Sequence, residues 1–398
     1  MSTLLHILFW TSLAVVVYTY LGYGAIVFVL VKLRRLFTTQ ETHTSPAHQS
    51  VASVSLIIAA YNEADCIREK IENSLQQHYP ADLLEIIIIT DGSNDETPAI
   101  VASYEPQVKL MHQPARMGKT AALNRAVAHA SNDILIFSDA NTMLNQDAIA
   151  NIAKHYADAT VGGVSGEKRI VQTIGVGAVA EEGLYWKYES LLKKLDSALY
   201  TVVGAAGELF SVRKSLYENV GNNIILDDFY ISLGICARGY TVKYEPAAYG
   251  EELPSQNVQE EEKRKIRIAA GGFQAMQIFK PLMNPFKYGV LAFQYVSHRV
   301  MRWAVCPFLL PVILFSNIAL AFISPSLLLN VLLIGQVFFY MMALTGWLLN
   351  KQNIKLRLVN VPYYFLFMNM AVYAGLNKFL KNNQSAVWER SARTKLSA

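Results

Sequence analysis

The chain has 398 residues, 53% of them hydrophobic, a formal net charge of +4 and a mean hydropathy of +0.24. It is long enough for one large domain and more, too apolar for an ordinary soluble protein of its size, and too weakly charged to imply a nucleic-acid partner. Its three cysteines, Cys66, Cys236 and Cys306, are far apart, form no metal-ligand spacing and suggest a reducing compartment.

The first element is apolar. Leu8 to Val31 is nearly uncharged and about long enough to span a bilayer. The run is too long for a signal-peptide core and lacks a small-residue cleavage pattern, so residues 1–35 read as an anchor. Lys32, Arg34 and Arg35 follow at once, which by the positive-inside rule brings the chain out into the cytoplasm. Residues 36–50, polar from Thr38 onward, read as a linker.

Residues 51–280 have the mixed, charged composition of a soluble domain. Val51 to Tyr61 reads as a buried strand. "IREKIENSLQQ" then has helical spacing, with Ile67, Ile71 and Leu75 on one face. Leu84 to Thr90 is a second buried strand, and "TPAIVASY" a helix with Pro98 in its first turn. "VKLMHQ" is a third strand, "GKTAALNRAVAHA" a helix and "DILIFSDA" a fourth strand. This alternation predicts an α/β domain with a mainly parallel sheet, covered on both faces, whose ligands bind at the carboxyl ends of the strands.

Polar residues gather at those ends: Tyr61, Asn62 and Glu63, then Asp91 to Asp95, then Asp139 and Asn141 within "FSDANTM". A carboxylate directly after a buried strand suits a cation or a phosphate, although the second place here holds an amide. Asp91 to Thr97 can equally be read as a turn and helix cap. "RMGKT" suggests a phosphate loop, but Gln113 stands where the Walker pattern needs glycine, so the stretch reads as a basic helix start with Lys119 able to face a phosphate.

Residues 281–302 contain Pro281, Pro285 and several aromatics and read as an interfacial segment, with His298 at the headgroups. Residues 303–381 form a C-terminal membrane region. Trp303 to Ile323 and Leu327 to Leu349 are two spans separated by Ser324, Pro325 and Ser326, and Tyr363 to Leu380 is a further, less apolar candidate. Lys351, Lys355 and Arg357 place the loop before it inside, whereas Lys378, Lys381, Arg390, Arg393 and Lys395 argue for an inside C-terminus that four crossings would put outside. Residues 382–398 are a tail. The spans are almost free of ionisable residues, which argues against a transporter or channel.

Six stretches in order, "IIAAYNEADCI", "EIIIITDGSNDET", "RMGKTAALNRAV", "ILIFSDANTML", "GAAGELFSVRKSLY" and "ILDDFYISLGICARGYTVKYEPAA", resemble the membrane-bound family 2 glycosyltransferases. These are inverting enzymes of GT-A fold that include the synthases of cellulose, chitin, hyaluronan and poly-N-acetylglucosamine. The resemblance covers roughly Ser53 to Gly272 and implies a GT-A nucleotide-sugar-binding domain flanked by transmembrane helices. It implies transfer from a UDP-sugar to a lipid-linked or polysaccharide acceptor at the inner face of the plasma membrane, with a cytoplasmic catalytic domain. Membrane lipids, and separate envelope-export proteins, are the further partners it suggests.

By motif position, Asp91 resembles the acid that contacts uracil, and Glu63 and the turn after Ala60 would line the nucleoside pocket. Asp139 takes the first acidic place of the metal motif, beside the diphosphate. Asn141 takes the last, where its amide oxygen can still ligate Mg2+ or Mn2+ without charge. "LDDF" aligns with the motif whose final acid is the base, so Asp228 is the implied base and Asp227 the adjacent acid. Both can also be read as caps of the helix that follows. Gly204 and Gly207 would line the acceptor pocket, or simply make a tight turn. "RKIRIAAGG" departs from the processive members' Gln-x-x-Arg-Trp. Arg264 stands in the Gln place, Arg267 keeps the arginine that meets the diphosphate, and Ile268 replaces the stacking Trp, which puts processive synthesis in doubt. Lys263 and Lys265 beside them read equally well as a solvated charged face. "VWERSAR", with Trp388, resembles a tail motif of the family. An inert scaffold of this fold is the remaining alternative, against which Asp91, Asp139 and Asp228 stand together.

Overall fold

The computed structural model describes residues 2–37, 51–171, 178–253, 258–352, 354 and 356–381. They divide into a sheet unit of residues 31–171 and 190–260 and a helical unit of residues 1–30, 172–189 and 261–383. Most of the 36–50 linker, Lys355 and the tail motif around Trp388 lie outside the described residues.

The sheet unit is built on eight strands: β1 (Val54–Ala60), β2 (Leu84–Asp91), β3 (Lys109–Gln113), β4 (Ile134–Asp139), β5 (Met143–Leu144), β6 (Val161–Ile170), β7 (Leu209–Arg213) and β8 (Thr241–Glu252). Their order is β3-β2-β1-β4-β7-β6-β8-β5. β1, β2, β3 and β4 run parallel to one another and β6 runs parallel to β8, while β7 opposes β4 and β6, and β5 opposes β8. The sheet is therefore mixed and mainly parallel. β1 is buried along its whole length, as the continuous apolar run "VSLIIAA" requires of a strand covered on both faces. Register pairs Ala60 with Thr90 and Ala59 with Asp139, which brings the carboxyl ends of β1, β2 and β4 level.

The helix Ile67–Leu75 follows β1 and corrects one expectation. Ile67 and Ile71 are buried, but Leu75 is 38% exposed. The buried face instead takes Lys70 and Ser74, completing the i, i+3, i+4, i+7 stripe. A lysine thus occupies a core-facing position directly behind the β4 strand end.

Among the described residues three helices are long and apolar enough to cross a membrane: Ser2–Phe37, Val290–Ile323 and Leu327–Lys351. Arg357–Leu380 is helical but is not one of the three. Phe9, Ile313, Leu320 and Leu329 pack together as a core among these helices. The break at Ser324 to Ser326 is as expected, and Ser326 caps the next helix at the Leu329 N–H, 3.3 Å away.

Two readings change here. The helix that carries the second candidate span begins at Val290, ahead of Trp303, because residues 295–305 continue it in π-helical form. His298 is also not at a surface. It is 1% exposed and lies 3.3 Å from Glu189, which pairs with Arg299 at 2.8 Å and Arg302 at 2.7 Å. A buried carboxylate needs such partners. The charged helix face is likewise not all solvated, for Lys265 is buried and paired with Glu261 at 3.2 Å. Small residues in "RIAAGG" serve packing, since a Cβ on Gly272 would come within 2.5 Å of the Trp303 ring.

Candidate active site

The turns after β1 and β2 are latched together. Asn62, with a φ of 54°, donates from its amide to Asn94 Oδ1 at 2.8 Å, and its own Oδ1 accepts the Asn94 N–H at 2.9 Å. The Asn62, Glu63 and Ala64 N–H groups donate to Ser93 Oγ, Thr97 Oγ1 and Asp95 Oδ2. Glu63 is largely buried, and its carbonyl starts the helix that follows by accepting from Cys66 and Ile67. Ala60 is fully buried with its methyl in the core, so it can offer a ligand its backbone alone.

Asp91 is 1% exposed and organises the "RMGKT" loop. Its Oδ2 accepts the Met117 and Gly118 N–H groups at 3.0 and 2.6 Å, and Arg125 donates to its Oδ1 at 3.2 Å. The loop carries Arg116 to a position 3.6 Å over the Tyr61 ring, at the mouth of the two turns. It also starts the helix at Lys119, aiming that side chain inward.

Lys119 joins the second half of the site. Its ammonium lies 2.8 Å from Asp139 Oδ1 and 3.7 Å from Asp227 Oδ2. Burial works against its charge, but Asp139 and Asp227 outweigh that and hold its pKa above the ordinary lysine value. Asp227 and Asp228 open the helix Asp227–Ala237, yet the cap position is Leu226 and no side chain caps it. Capping therefore does not account for the pair. Burial first, then the neighbouring Asp227, pushes Asp228 up to about 7.

Gly204 and Gly207 bear on this helix. A Cβ at Gly204, whose φ is +99°, would fall 2.3 Å from the Phe229 ring. At Gly207 it would fall 3.1 Å from Asp228 Oδ2. The first glycine permits packing and a left-handed turn, and the second keeps space open beside the Asp228 carboxylate.

Three residues that sequence reasoning missed complete the surroundings. Lys168 pairs with Glu208 and, at 2.8 Å, with Glu252, and all three are largely buried. Lys70 is fully buried and donates to Ser138 Oγ at 2.8 Å, with burial lowering its pKa to about 7. Lys70 was legible as the polar member of an apolar helix stripe, but nothing in "GEKR" or "YGEEL" marks Lys168 or Glu252.

Among the described residues no three His, Cys, Asp or Glu side chains form a ready metal cage. The site nevertheless suits a hard divalent cation. Asp139 is one-third exposed at the strand end, and Asn141 is half-buried with no side-chain hydrogen bond among the described residues. In the linked set Asp139, Asp227, Asp228, Glu208 and Glu252 face Lys70, Lys119 and Lys168, an excess of carboxylate. Burial, with Glu252 and Glu208 nearby, lifts Asp139 above its ordinary value despite Lys119. Two oxygen donors are what a cation needs when substrate phosphates supply part of its shell. Of the expected site residues, Lys119, Asp139, Asp227, Asp228, Gly204 and Gly207 come together, and Asp91 supports them through its loop. Arg267 belongs to the helical unit.

Residues 55–221 match the family described as Glycosyl transferase family 2. The chain is 26% identical over 280 residues to a poly-beta-1,6-N-acetyl-D-glucosamine synthase of Staphylococcus epidermidis, covering 68% of each chain. It is 28% identical over 229 residues to the synthase of that name from Staphylococcus aureus, covering 56% of this chain and 55% of that one. The matches to the curated relatives thus span from about half to two-thirds of their length. A solved mannosyltransferase of Pyrobaculum calidifontis, in complex with GDP-Man and Mn2+, superposes with a TM-score of 0.69 and 24% identity, over 95% of this chain and all of that one. The sheet unit has the GT-A fold.

Proposed function

We propose, for a chain whose residues 55–221 are a family 2 glycosyltransferase domain, that it moves a sugar from a UDP-sugar to a lipid-linked or polysaccharide acceptor with inversion. The observation that carries this reading is the Asp228 carboxylate, raised to about 7 beside the space that Gly207 leaves open. A base with that affinity suits removal of a proton from an acceptor hydroxyl near neutral pH.

In this reading the nucleoside enters at the latched turns of β1 and β2, against Tyr61 and Arg116. Lys119 receives the diphosphate and meets the charge that grows on it as the sugar departs. The acceptor hydroxyl attacks the anomeric carbon from the opposite side, and Asp228 takes its proton. Asp227 keeps Asp228 basic and orients Lys119. Asp139 and Asn141 would hold Mg2+ or Mn2+, which when bound neutralises charge on the diphosphate. The apolar helices hold the domain at a membrane, and Lys32, Arg34 and Arg35 support a cytoplasmic site at the inner face of the plasma membrane.

Similarity to poly-beta-1,6-N-acetyl-D-glucosamine synthases favours a second reading, a processive synthase of an N-acetylglucosamine polymer. Ile268 in the place of the stacking Trp argues for single or short additions. Product analysis with UDP-N-acetylglucosamine and native lipid separates the two, because one added sugar supports the first reading and a ladder the second.

A further inference from the structure

Lys70, Lys168 and Glu252, buried behind the site, belong to a closed ring of hydrogen bonds with Ser138, Thr142 and Glu208. Lys70 Nζ donates to Ser138 Oγ at 2.8 Å and to the Thr142 carbonyl. Ser138 Oγ donates to the Glu208 carbonyl at 3.2 Å, and the Glu208 carboxylate pairs with Lys168. Lys168 pairs with Glu252 Oε2 at 2.8 Å, and Thr142 Oγ1 closes the ring by donating to Glu252 Oε1 at 2.9 Å. Lys70 and Thr142 are 0% exposed, Glu252 1%, and Ser138 and Lys168 4%.

The ring grips the Asp139–Asn141 turn at both flanks, through Ser138 and Thr142. On its far side it holds Glu208, next to Gly207 and therefore next to Asp228. It joins the helix after β1, the end of β4, β6, the loop before β7 and the end of β8. Buried ion pairs of this kind contribute little net stability, since well-packed apolar side chains of similar size do as well or better. What apolar packing cannot supply is a single hydrogen-bonded arrangement of two turns.

We infer that Lys70, Thr142, Lys168 and Glu252 are positioning residues. They fix the Asp139–Asn141 turn relative to the Gly207–Glu208 turn, so that diphosphate and acceptor hydroxyl meet in line. This rests on the donor reading above.

The test uses the full-length protein in lipid nanodiscs, titrated with UDP in the presence of Mn2+ by calorimetry. Thr142→Val removes the bond to Glu252 at nearly constant volume, and Thr142→Ser restores it. Val weakens UDP binding about tenfold and lowers turnover with any active donor, while Ser stays within about twofold of wild type. A Val variant that melts earlier yet binds UDP like wild type overturns the inference and leaves the donor reading intact. Should Thr142→Val fail to fold, Glu252→Gln keeps one acceptor oxygen for Lys168, turns an NH2 donor toward Thr142 Oγ1 in place of the second acceptor, and removes the negative charge that faces Lys168. It weakens binding about threefold, and unchanged binding again overturns the inference. Wild-type protein that binds neither UDP nor GDP overturns the donor reading and this inference with it.

Discussion

Lys119 Nζ stands 2.8 Å from Asp139 Oδ1, tying the end of β4 to the helix that leaves the "RMGKT" loop. The same ammonium lies 3.7 Å from Asp227. One cation thus serves the strand-end acid and the acid beside the proposed base. Lys119→Met leaves Asp139 and Asp227 facing each other without compensation. We predict a loss of about 100-fold or more in kcat/KM, of the size seen when an electrostatic partner of the leaving group is removed. UDP titration of the variant should show weakened binding; binding equal to wild type would remove Lys119 from the donor site.

The two glycines of "GAAGELF" should behave differently. Gly204→Ala meets the Phe229 ring and a left-handed backbone, so it should cost about 2 kcal/mol or more in stability. Gly207→Ala meets the Asp228 carboxylate alone, at 3.1 Å, so its melting temperature should hardly move while kcat falls about tenfold. Thermal melts set beside kinetics of both variants check this contrast.

Asp228 sets a pH dependence whose sign follows from its raised pKa. Activity needs the ionised carboxylate, so kcat/KM should rise with pH along a limb near 7. Asp227→Asn removes a neighbouring negative charge and should move that limb to lower pH by about one unit. Stability runs the other way. With the folded pKa above the ordinary 3.8, the folded state binds more protons between those values, so stability falls as pH rises from about 4 to 7. Asp228→Asn should abolish transfer, leave UDP binding in place, and stabilise the protein at pH 8 by on the order of 1 kcal/mol.

Asn141 provides an oxygen without charge. Asn141→Asp should lower the Mn2+ concentration for half-maximal activity about tenfold, because a carboxylate replaces an amide at a hard cation. A metal titration unchanged by the substitution would place the cation elsewhere.

Much of this was legible in the sequence. The strands β1 to β4 are short apolar runs closed by polar turns, and parallel register brings their ends together without further information. Asp139, Lys119 and Asp228 could be named because motif order links them. The later strands were less visible. β6 contains three glycines, and β8 carries charged residues along its length, so neither shows a clean period. Apolar spacing alone places Leu75 in the core, whereas the buried stripe takes Lys70 and Ser74, and the partners of Lys70 lie far along the chain at Ser138 and Thr142. The bonds of Asp91 to Met117, Gly118 and Arg125 were not legible, because they depend on a loop conformation that no local pattern encodes.

The central claim is sugar transfer from a nucleotide donor with Asp228 as base. Release of UDP from UDP-sugars by purified full-length protein, in native membrane lipid with Mn2+ or Mg2+, tests it most directly. The account predicts acceptor-dependent UDP release by wild type and none by Asp228→Asn that still binds UDP. Release undiminished in Asp228→Asn, or no release from any donor by wild type, would contradict it.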